Sequence, residues 1–218
     1  MSIIIAIDGP AGSGKGTITK LIAEKLNLVT IDTGAMYRAL TVAFLNNNLT
    51  LNDKDKIIEL SEKSDIKFDE DGRTYLNKED ITDKIRAKEV TEVVSQISSI
   101  TEVRDNLVKL QRKLAEGKNT IMEGRDITTV VFPNADYKFY LDATLEERAK
   151  RRYKQNKEQN INMTYEEILE NIKKRDYNDT HKKVGKLTRT EDQIYIDTTN
   201  MKIDEVVNEI IKNIQIKK

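Results

Sequence analysis

The residues with the clearest chemical potential form a glycine-rich segment near the N-terminus. It consists of nine consecutive residues: Gly9, Pro10, Ala11, Gly12, Ser13, Gly14, Lys15, Gly16 and Thr17. A β-branched apolar run at Ile3–Ile7 precedes it, and apolar residues at helical spacing follow it. A strand, a glycine-rich turn and a helix in this order let backbone N–H groups converge on a phosphate at the helix N-terminus. The segment is therefore predicted to be a P-loop that binds ATP, rather than a glycine-rich turn without a ligand.

Three residues at the end of this segment define its chemistry. Lys15 is placed to reach the β- and γ-phosphates as a point charge, so we expect it to be catalytic. The strict P-loop pattern has serine or threonine directly after the lysine, but here Gly16 stands there and the hydroxyl follows at Thr17. Thr17 is therefore the nearest hydroxyl to a Mg²⁺ ion accompanying ATP, which it would bind directly or through water.

A second polar segment, Asp32–Arg38, follows the next predicted strand at Leu28–Ile31. Ligands of parallel sheets bind at the carboxyl ends of the strands, so we expect this segment to lie at the same edge as the P-loop. Thr33 offers a hydroxyl at a helix start, Tyr37 an aromatic face with a polar tip, and Arg38 a planar fork that suits a phosphate. The residues alone support an anion near a helix N-terminus and, equally, a helix cap beside an exposed arginine.

Arginines on a later predicted helix, at 145–155, are candidates for stabilising a transferred phosphoryl group. Arg148 and Arg152 are four residues apart, so one helix face can present them together. The alternative is a surface helix in which Glu147 and Arg151 form an exposed pair of little energetic consequence, and we prefer that interpretation for Arg151.

The end of the following predicted helix carries three charged residues on one face: Arg175, Asp179 and Lys182. The single histidine, His181, lies beside them. We interpret it as a solvated residue rather than a catalytic base, because a monophosphate acceptor is already ionised near neutral pH.

The composition excludes several classes of function. The 218 residues include 37 Lys and Arg and 37 Asp and Glu, so no net charge favours a nucleic acid or an anionic membrane. The absence of cysteine excludes thiol nucleophiles, and together with the single histidine it excludes almost every zinc site. No apolar run reaches the roughly 18 residues that a membrane helix needs. We therefore predict a cytoplasmic protein that binds neither nucleic acid nor membrane. We also expect it to be a monomer, and the P-loop indicates small nucleotides as its partners.

Five predicted strands alternate with helices, which is typical of a doubly wound α/β sheet. The remaining three strands are predicted at 120–122, 137–141 and 193–196. Two short runs, Ile66–Phe68 and Arg73–Leu76, flank a polar turn of hairpin length. They indicate an antiparallel subdomain, inserted at about 63–100 into a single domain that spans 1–218.

Three segments of the chain together resemble bacterial cytidylate kinases. The ending Gly14–Thr17 is the form found in nucleoside monophosphate kinases, and Asp32–Arg38 is similar to the family's second signature. The third segment, Glu123–Pro133, is similar to the Gly-Arg-Asp segment of the family. The resemblance covers 3–199 and implies transfer of the γ-phosphate of ATP to CMP or dCMP with Mg²⁺.

The resemblance also implies roles for individual residues. Arg148, Arg152 and Arg175 join Lys15 as catalytic residues, and 145–185 corresponds to a short helical lid. The implied CMP-binding residues are Thr33, Tyr37, Arg38, Ser95, Arg125, Asp126, Arg175, Asp179 and Lys182. Among them, Arg125 binds the acceptor phosphate and Asp126 the base. This chain departs from the family pattern at Thr128, where we expect glycine, at Lys182, where we expect arginine, and at Lys186, where Pro-Leu is usual.

Two other classes of function compete with this one. Another small-molecule kinase on the same fold would phosphorylate UMP, AMP or shikimate. A regulatory P-loop NTPase would lack an acceptor, but the chain has no clear guanine-reading segment and many arginines that a switch normally receives from a partner. Assays with a panel of acceptors separate these alternatives.

Overall fold

The structure is a computed structural model and describes residues 2–69, 72–158 and 161–214. Helices and strands alternate over most of the chain. The helices are α1 (Lys15–Leu26), α2 (Thr33–Asn46), α3 (Lys54–Lys63), α4 (Lys88–Ile97), α5 (Thr101–Ala115), α6 (Leu145–Glu158), α7 (Tyr165–His181) and α8 (Ile203–Asn213). The strands are β1 (Ile4–Asp8), β2 (Val29–Asp32), β3 (Ile66–Phe68), β4 (Thr74–Leu76), β5 (Glu79–Asp80), β6 (Thr120–Gly124), β7 (Tyr137–Asp142) and β8 (Ile194–Asp197).

The main sheet has five strands in the order β2-β6-β1-β7-β8. Parallel ladders join β1 to β6 and β7, and β7 to β8. This confirms the predicted five-stranded α/β sheet. Because β1 is central, its side chains Ile5, Ala6 and Ile7 are fully buried, as the continuous apolar run predicts. The strand extends one residue beyond the predicted end, because Asp8 still pairs with Gly124 and Tyr140.

The chain divides into two compact units, Met1–Val29 with Gly117–Lys218, and Thr30–Glu116. The core of the first unit forms where α1 and α8 pack on the sheet. It includes Ile18 and Ile22 of α1, Val206 and Ile210 of α8, and Phe139 of β7. Burial of these large apolar side chains is the main stabilising contribution here, and it fixes the start of α1, which follows the P-loop.

The second unit contains the predicted hairpin. Strands β3 and β4 pair antiparallel, and β5 adds a third strand to the same small sheet. The sequence does not predict β5 because its two residues, Glu79 and Asp80, are polar and exposed. The predicted turn at 69–72 lies partly outside the described residues. The subdomain limits of 63–100 and the lid limits of 145–185 stay predictions.

No helix within the described ranges is both long and apolar enough to cross a membrane.

Candidate active site

The P-loop connects β1 to α1 in a conformation that requires glycine. A Cβ on Gly9 would lie 2.0 Å from the carbonyl oxygen of Leu141, so no side chain fits at this position. Gly14, the residue before α1, has a φ of 91°, in the left-handed region that other residues rarely adopt. The chain can therefore turn from the central strand directly into the helix and leave the N–H groups of the first helical turn facing the loop.

The side chain of Lys15 folds back over this loop. Its Nζ donates to the carbonyl oxygens of Gly9 and Pro10 at 2.7 Å each and to the hydroxyl of Ser13 at 3.2 Å. Burial, together with the positive charges of Arg125 and Arg175, lowers the pKa of Lys15 to about 7. Glu123 and Asp8 oppose this effect only in part. The predicted site residues Arg125 and Arg175 therefore lie close enough to Lys15 for their charges to affect it. A group of three cations favours a polyanionic ligand.

A second set of charges links β6 to the end of α7. Nε of Arg125 donates to Oδ2 of Asp179 at 2.7 Å, and Nζ of Lys182 lies 3.5 Å from Oδ1 of the same carboxylate. Burial alone would raise the pKa of Asp179, but Arg125, Lys182 and Arg175 together lower it. The helical spacing correctly predicts that Asp179 and Lys182 lie together. It does not predict the pairing of Asp179 with Arg125, which is 54 residues away.

Asp126 lies between Arg125 and a single π-helical turn at Ile127–Val131. Its carboxylate is buried, and its carbonyl oxygen accepts from the N–H groups of Val130 and Val131. The departure at Thr128 falls inside this turn. Both the N–H and the hydroxyl of Thr128 donate to the carboxylate of Asp8, at 2.9 and 2.6 Å.

Arg148 is a buried residue with acceptors on three sides. Its guanidinium donates to the carbonyl oxygens of Ala143 and Ala11 at 3.0 Å each and lies 2.6 Å from Oδ2 of Asp176. Ala11 belongs to the P-loop, so Arg148 joins this loop to α6 and α7. The sequence does not identify Asp176 as its partner, because the two residues lie on different helices.

The other two arginines of α6 differ in their surroundings. Arg152 donates to the side chain of Gln155 at 2.8 Å. Arg151 forms the predicted pair with Glu147 at 3.0 Å, but its side chain is only 29% exposed. It also donates to the hydroxyl and carbonyl oxygens of Thr198, at 3.0 and 2.6 Å.

The prediction that Arg151 makes only an exposed pair is therefore wrong. Its guanidinium is partly buried and binds Thr198, a residue that also contacts the P-loop. The hydroxyl of Thr198 also reaches the carbonyl oxygen of Ser13, at 3.4 Å. The signal for Thr198 in the sequence is its position just after β8, at the carboxyl end of a strand.

In the second unit, the residues of the Asp32–Arg38 segment occupy the start of α2. Asp32 caps this helix, since its Oδ1 accepts from the N–H of Ala35 at 2.9 Å, as the cap interpretation predicts. Arg38 is only partly exposed and donates to the carbonyl of Ile85 and the hydroxyl of Thr91, both at 2.9 Å.

The same unit holds a buried cation that the sequence does not single out. The guanidinium of Arg104 lies 5.3 Å from the ring centre of Tyr37 and donates to the carbonyl of Ser98. An arginine in an amphipathic helix such as α5 is expected to be exposed, so the sequence gives no sign that Arg104 is buried.

The predicted residue Ser95 is half-buried on α4, and its carbonyl oxygen accepts from the hydroxyls of Ser98 and Ser99.

Comparisons with known proteins identify the family of this chain. The profile of the cytidylate kinase family matches residues 5–216. The chain is 51% identical to a cytidylate kinase of Fusobacterium nucleatum subsp. nucleatum over 215 residues, 98% of each chain. It is 49% identical to a cytidylate kinase of Caldanaerobacter subterraneus subsp. tengcongensis over 215 residues, 99% of this chain and 96% of that one. A shikimate kinase structure from Bacteroides thetaiotaomicron shares the fold, with a TM-score of 0.50 and 12% identity over 97% of both chains. The chain therefore belongs to the cytidylate kinase family of P-loop phosphotransferases.

Proposed function

We propose that this enzyme transfers the γ-phosphate of ATP to CMP or dCMP. The observation that carries the proposal is a group of cations beside the P-loop: Arg125 and Arg175 lie near enough to Lys15 for their charges to lower its pKa. The P-loop itself has no room for a side chain at Gly9. Family membership supports the choice of acceptor, since the relatives described above are named cytidylate kinases. The same relatives disfavour shikimate or AMP as the acceptor, and a regulatory NTPase.

On the donor side, the nine residues of the P-loop bind the phosphates of ATP. The Lys15 ammonium now shared by Gly9, Pro10 and Ser13 would turn to the β- and γ-phosphates. Charge on the transferring group is spread over its oxygens in the transition state, and a fixed cation in a buried site stabilises it more than it would in water. Lys15 therefore contributes mainly to turnover.

On the acceptor side, Arg125 binds the phosphate of CMP and Asp126 the base. The ion pair with Asp179 fixes the guanidinium fork of Arg125 while leaving its remaining donors for phosphate. Arg175, Asp179 and Lys182 contact the pentose and phosphate. In the second unit, we assign Thr33, Tyr37 and Arg38 to the acceptor phosphate and Ser95 to the pyrimidine.

Two arginines of α6 complete the proposed site, one by positioning the P-loop and one by contact with the transferring group. Arg148 is held by three protein acceptors, so we propose that it acts by fixing the P-loop at Ala11 relative to α7. Arg152 is the residue we assign to the transferring phosphoryl group. Positioning of this kind is the main contribution that a protein makes to phosphoryl transfer.

Two oxygen-bearing side chains near the start of α1, Thr17 of α1 and Glu123 of β6, fit a Mg²⁺ ion that arrives with ATP. A Cβ on Gly16 would lie 2.9 Å from Oε1 of Glu123, so the glycine leaves room for this carboxylate beside the exposed Thr17. Hydroxyl and carboxylate oxygens are ligands that Mg²⁺ accepts, and phosphates and water supply the rest. The ion would neutralise the phosphates. No group of three acidic or histidine side chains suited to a metal occurs among the described residues.

The experiment is a measurement of initial rates of ADP formation with Mg²⁺-ATP and a panel of acceptors. We expect kcat/KM for CMP and dCMP to exceed that for UMP, AMP, GMP and shikimate. If AMP or shikimate were the best acceptor, the assignment would be wrong. ATP hydrolysis at the same rate without any acceptor would instead indicate a regulatory NTPase.

A further inference from the structure

The turn that follows Arg125 and Asp126 is anchored by a carboxylate from another strand. Asp8, the last residue of β1, is completely buried. Its Oδ1 accepts from the N–H of Ile127 at 2.8 Å, and its Oδ2 accepts from the N–H of Thr128 at 2.9 Å. These two N–H groups open the π-helical turn, where no earlier turn supplies acceptors. Asp8 thus acts on this turn as a capping residue acts on a helix.

Thr128 extends this anchor to a third part of the fold. Its hydroxyl donates to Oδ2 of Asp8 at 2.6 Å and accepts from Nε2 of Gln193. Gln193 is fixed in turn, because its Oε1 accepts from the N–H of Thr190 at 2.7 Å. Asp8, Thr128 and Gln193 are all buried. A glycine at 128 would keep the backbone bond to Asp8 but lose the link to Gln193.

These contacts matter because the carboxyl group of Asp8 is buried and its two oxygens accept three hydrogen bonds from the turn. The pKa of Asp8 is raised, because the effect of burial outweighs the hydrogen bonds from Thr128 and Ile127, which lower it. With no exposed surface, the carboxylate cannot replace a lost donor by bulk water.

The anchor constrains the turn more than it constrains the P-loop. The backbone of β1 is held on both sides, since Asp8 pairs with Gly124 of β6 and with Tyr140 of β7. The turn has no such ladder, and Thr128 is only two residues from Asp126. Loss of the Thr128 hydroxyl is therefore expected to displace Arg125 and Asp126 and to leave the P-loop in place.

We propose that Thr128 is a positioning residue for the nucleotide acceptor: with Gln193, its hydroxyl holds the turn so that Arg125 and Asp126 meet CMP in the correct orientation. The proposal rests on the proposed function. Thr128 itself does not contact the acceptor in this account.

The test compares Thr128→Val, which keeps the side-chain shape and the backbone N–H, with Thr128→Ser, which keeps the hydroxyl. Thr19→Val is the matched control, because Thr19 is a buried threonine whose hydroxyl has no hydrogen-bond partner among the described residues. KM for CMP, KM for ATP and kcat are measured for each variant at saturating concentrations of the other substrate. Thermal unfolding monitored by circular dichroism gives the stability of each variant.

Thr128→Val is expected to raise KM for CMP by about tenfold, the loss expected when a buried acceptor loses a hydrogen bond, while KM for ATP changes by less than about twofold. Thr128→Ser and Thr19→Val are expected to stay within about twofold of the wild type in both constants. Equal rises in the two KM values, a change in stability alone, or failure of serine to restore KM for CMP would overturn the proposal.

Gln193→Leu keeps the proposal testable if Thr128→Val does not fold. This substitution removes the donor to Thr128 but leaves the bond from Thr128 to Asp8. It is expected to raise KM for CMP selectively, and an unchanged KM would overturn the proposal. Wild-type protein without CMP kinase activity would instead refute the proposed function, so the two failures are distinguishable.

Discussion

Nη2 of Arg148 lies 2.6 Å from Oδ2 of Asp176, and this ion pair joins α6 to α7. The pair is largely buried, with 7% of the arginine side chain and 24% of the aspartate side chain exposed. Because the same guanidinium also donates to Ala11, the contact connects the packing of the two helices to the P-loop.

We expect Arg148→Met to lower the free energy of unfolding by about 3 kcal/mol, because it leaves the half-buried Asp176 carboxylate and two backbone carbonyls without their common donor. Lys54→Met is the control, since both side chains of the Lys54–Glu102 pair are about half exposed and its loss should change stability much less. Urea denaturation monitored by circular dichroism gives both values. Equal losses in the two variants would contradict a structural role for Arg148.

The lowered pKa of Lys15 predicts how stability depends on pH. Its pKa falls from 10.5 in the unfolded chain to about 7 in the fold, so between these values the unfolded chain binds more protons. The contribution of Lys15 to the free energy of unfolding therefore rises with pH in this window. Relative to Lys15→Met, the ligand-free wild type is expected to be least stable near pH 7 and to gain steadily toward pH 10. Urea denaturation across this pH range measures the difference, and a constant difference would show that Lys15 titrates normally.

Much of the candidate site follows from local sequence. The P-loop is predictable because strand, turn and helix are contiguous, and the cluster of Asp179 with Lys182 follows from helical spacing. The partners of Arg125 and Arg148 could not be predicted, because they depend on how α6 and α7 pack against each other and against the sheet. The same holds for Asp8, whose role as the anchor of Thr128 depends on a contact between residues 120 positions apart.

Two arginines assigned to the acceptor phosphate give a kinetic prediction. Arg38→Ala and Arg125→Ala are each expected to raise KM for CMP by at least about tenfold, with a much smaller effect on KM for ATP. Lys109→Ala, an exposed position on α5, is the control and should change neither constant. Steady-state kinetics with both substrates varied measures the effects. Rises of similar size for ATP and CMP would remove these residues from the acceptor site.

The departure at Lys182 gives a graded prediction. Its ammonium lies 3.5 Å from Asp179, so it supplies a cation to the cluster, but it cannot form the bidentate fork of a guanidinium. Lys182→Ala is expected to cost less in kcat/KM for CMP than Arg175→Ala, by about 1 kcal/mol or more. Lys182→Arg should keep or raise activity. If Lys182→Ala leaves kcat and both KM values unchanged, Lys182 does not belong to the site.

In the proposed reaction the γ-phosphate moves from ATP to CMP, and Lys15 stabilises the charge on the transferring group. The most direct measurement follows a radiolabelled γ-phosphate of ATP and separates the labelled products by chromatography. We predict labelled CDP in amounts equal to the ADP formed, and a loss of at least ~10²-fold in turnover for a folded Lys15→Ala variant. Label that appeared only as inorganic phosphate, or a folded Lys15→Ala variant with unchanged turnover, would contradict the account.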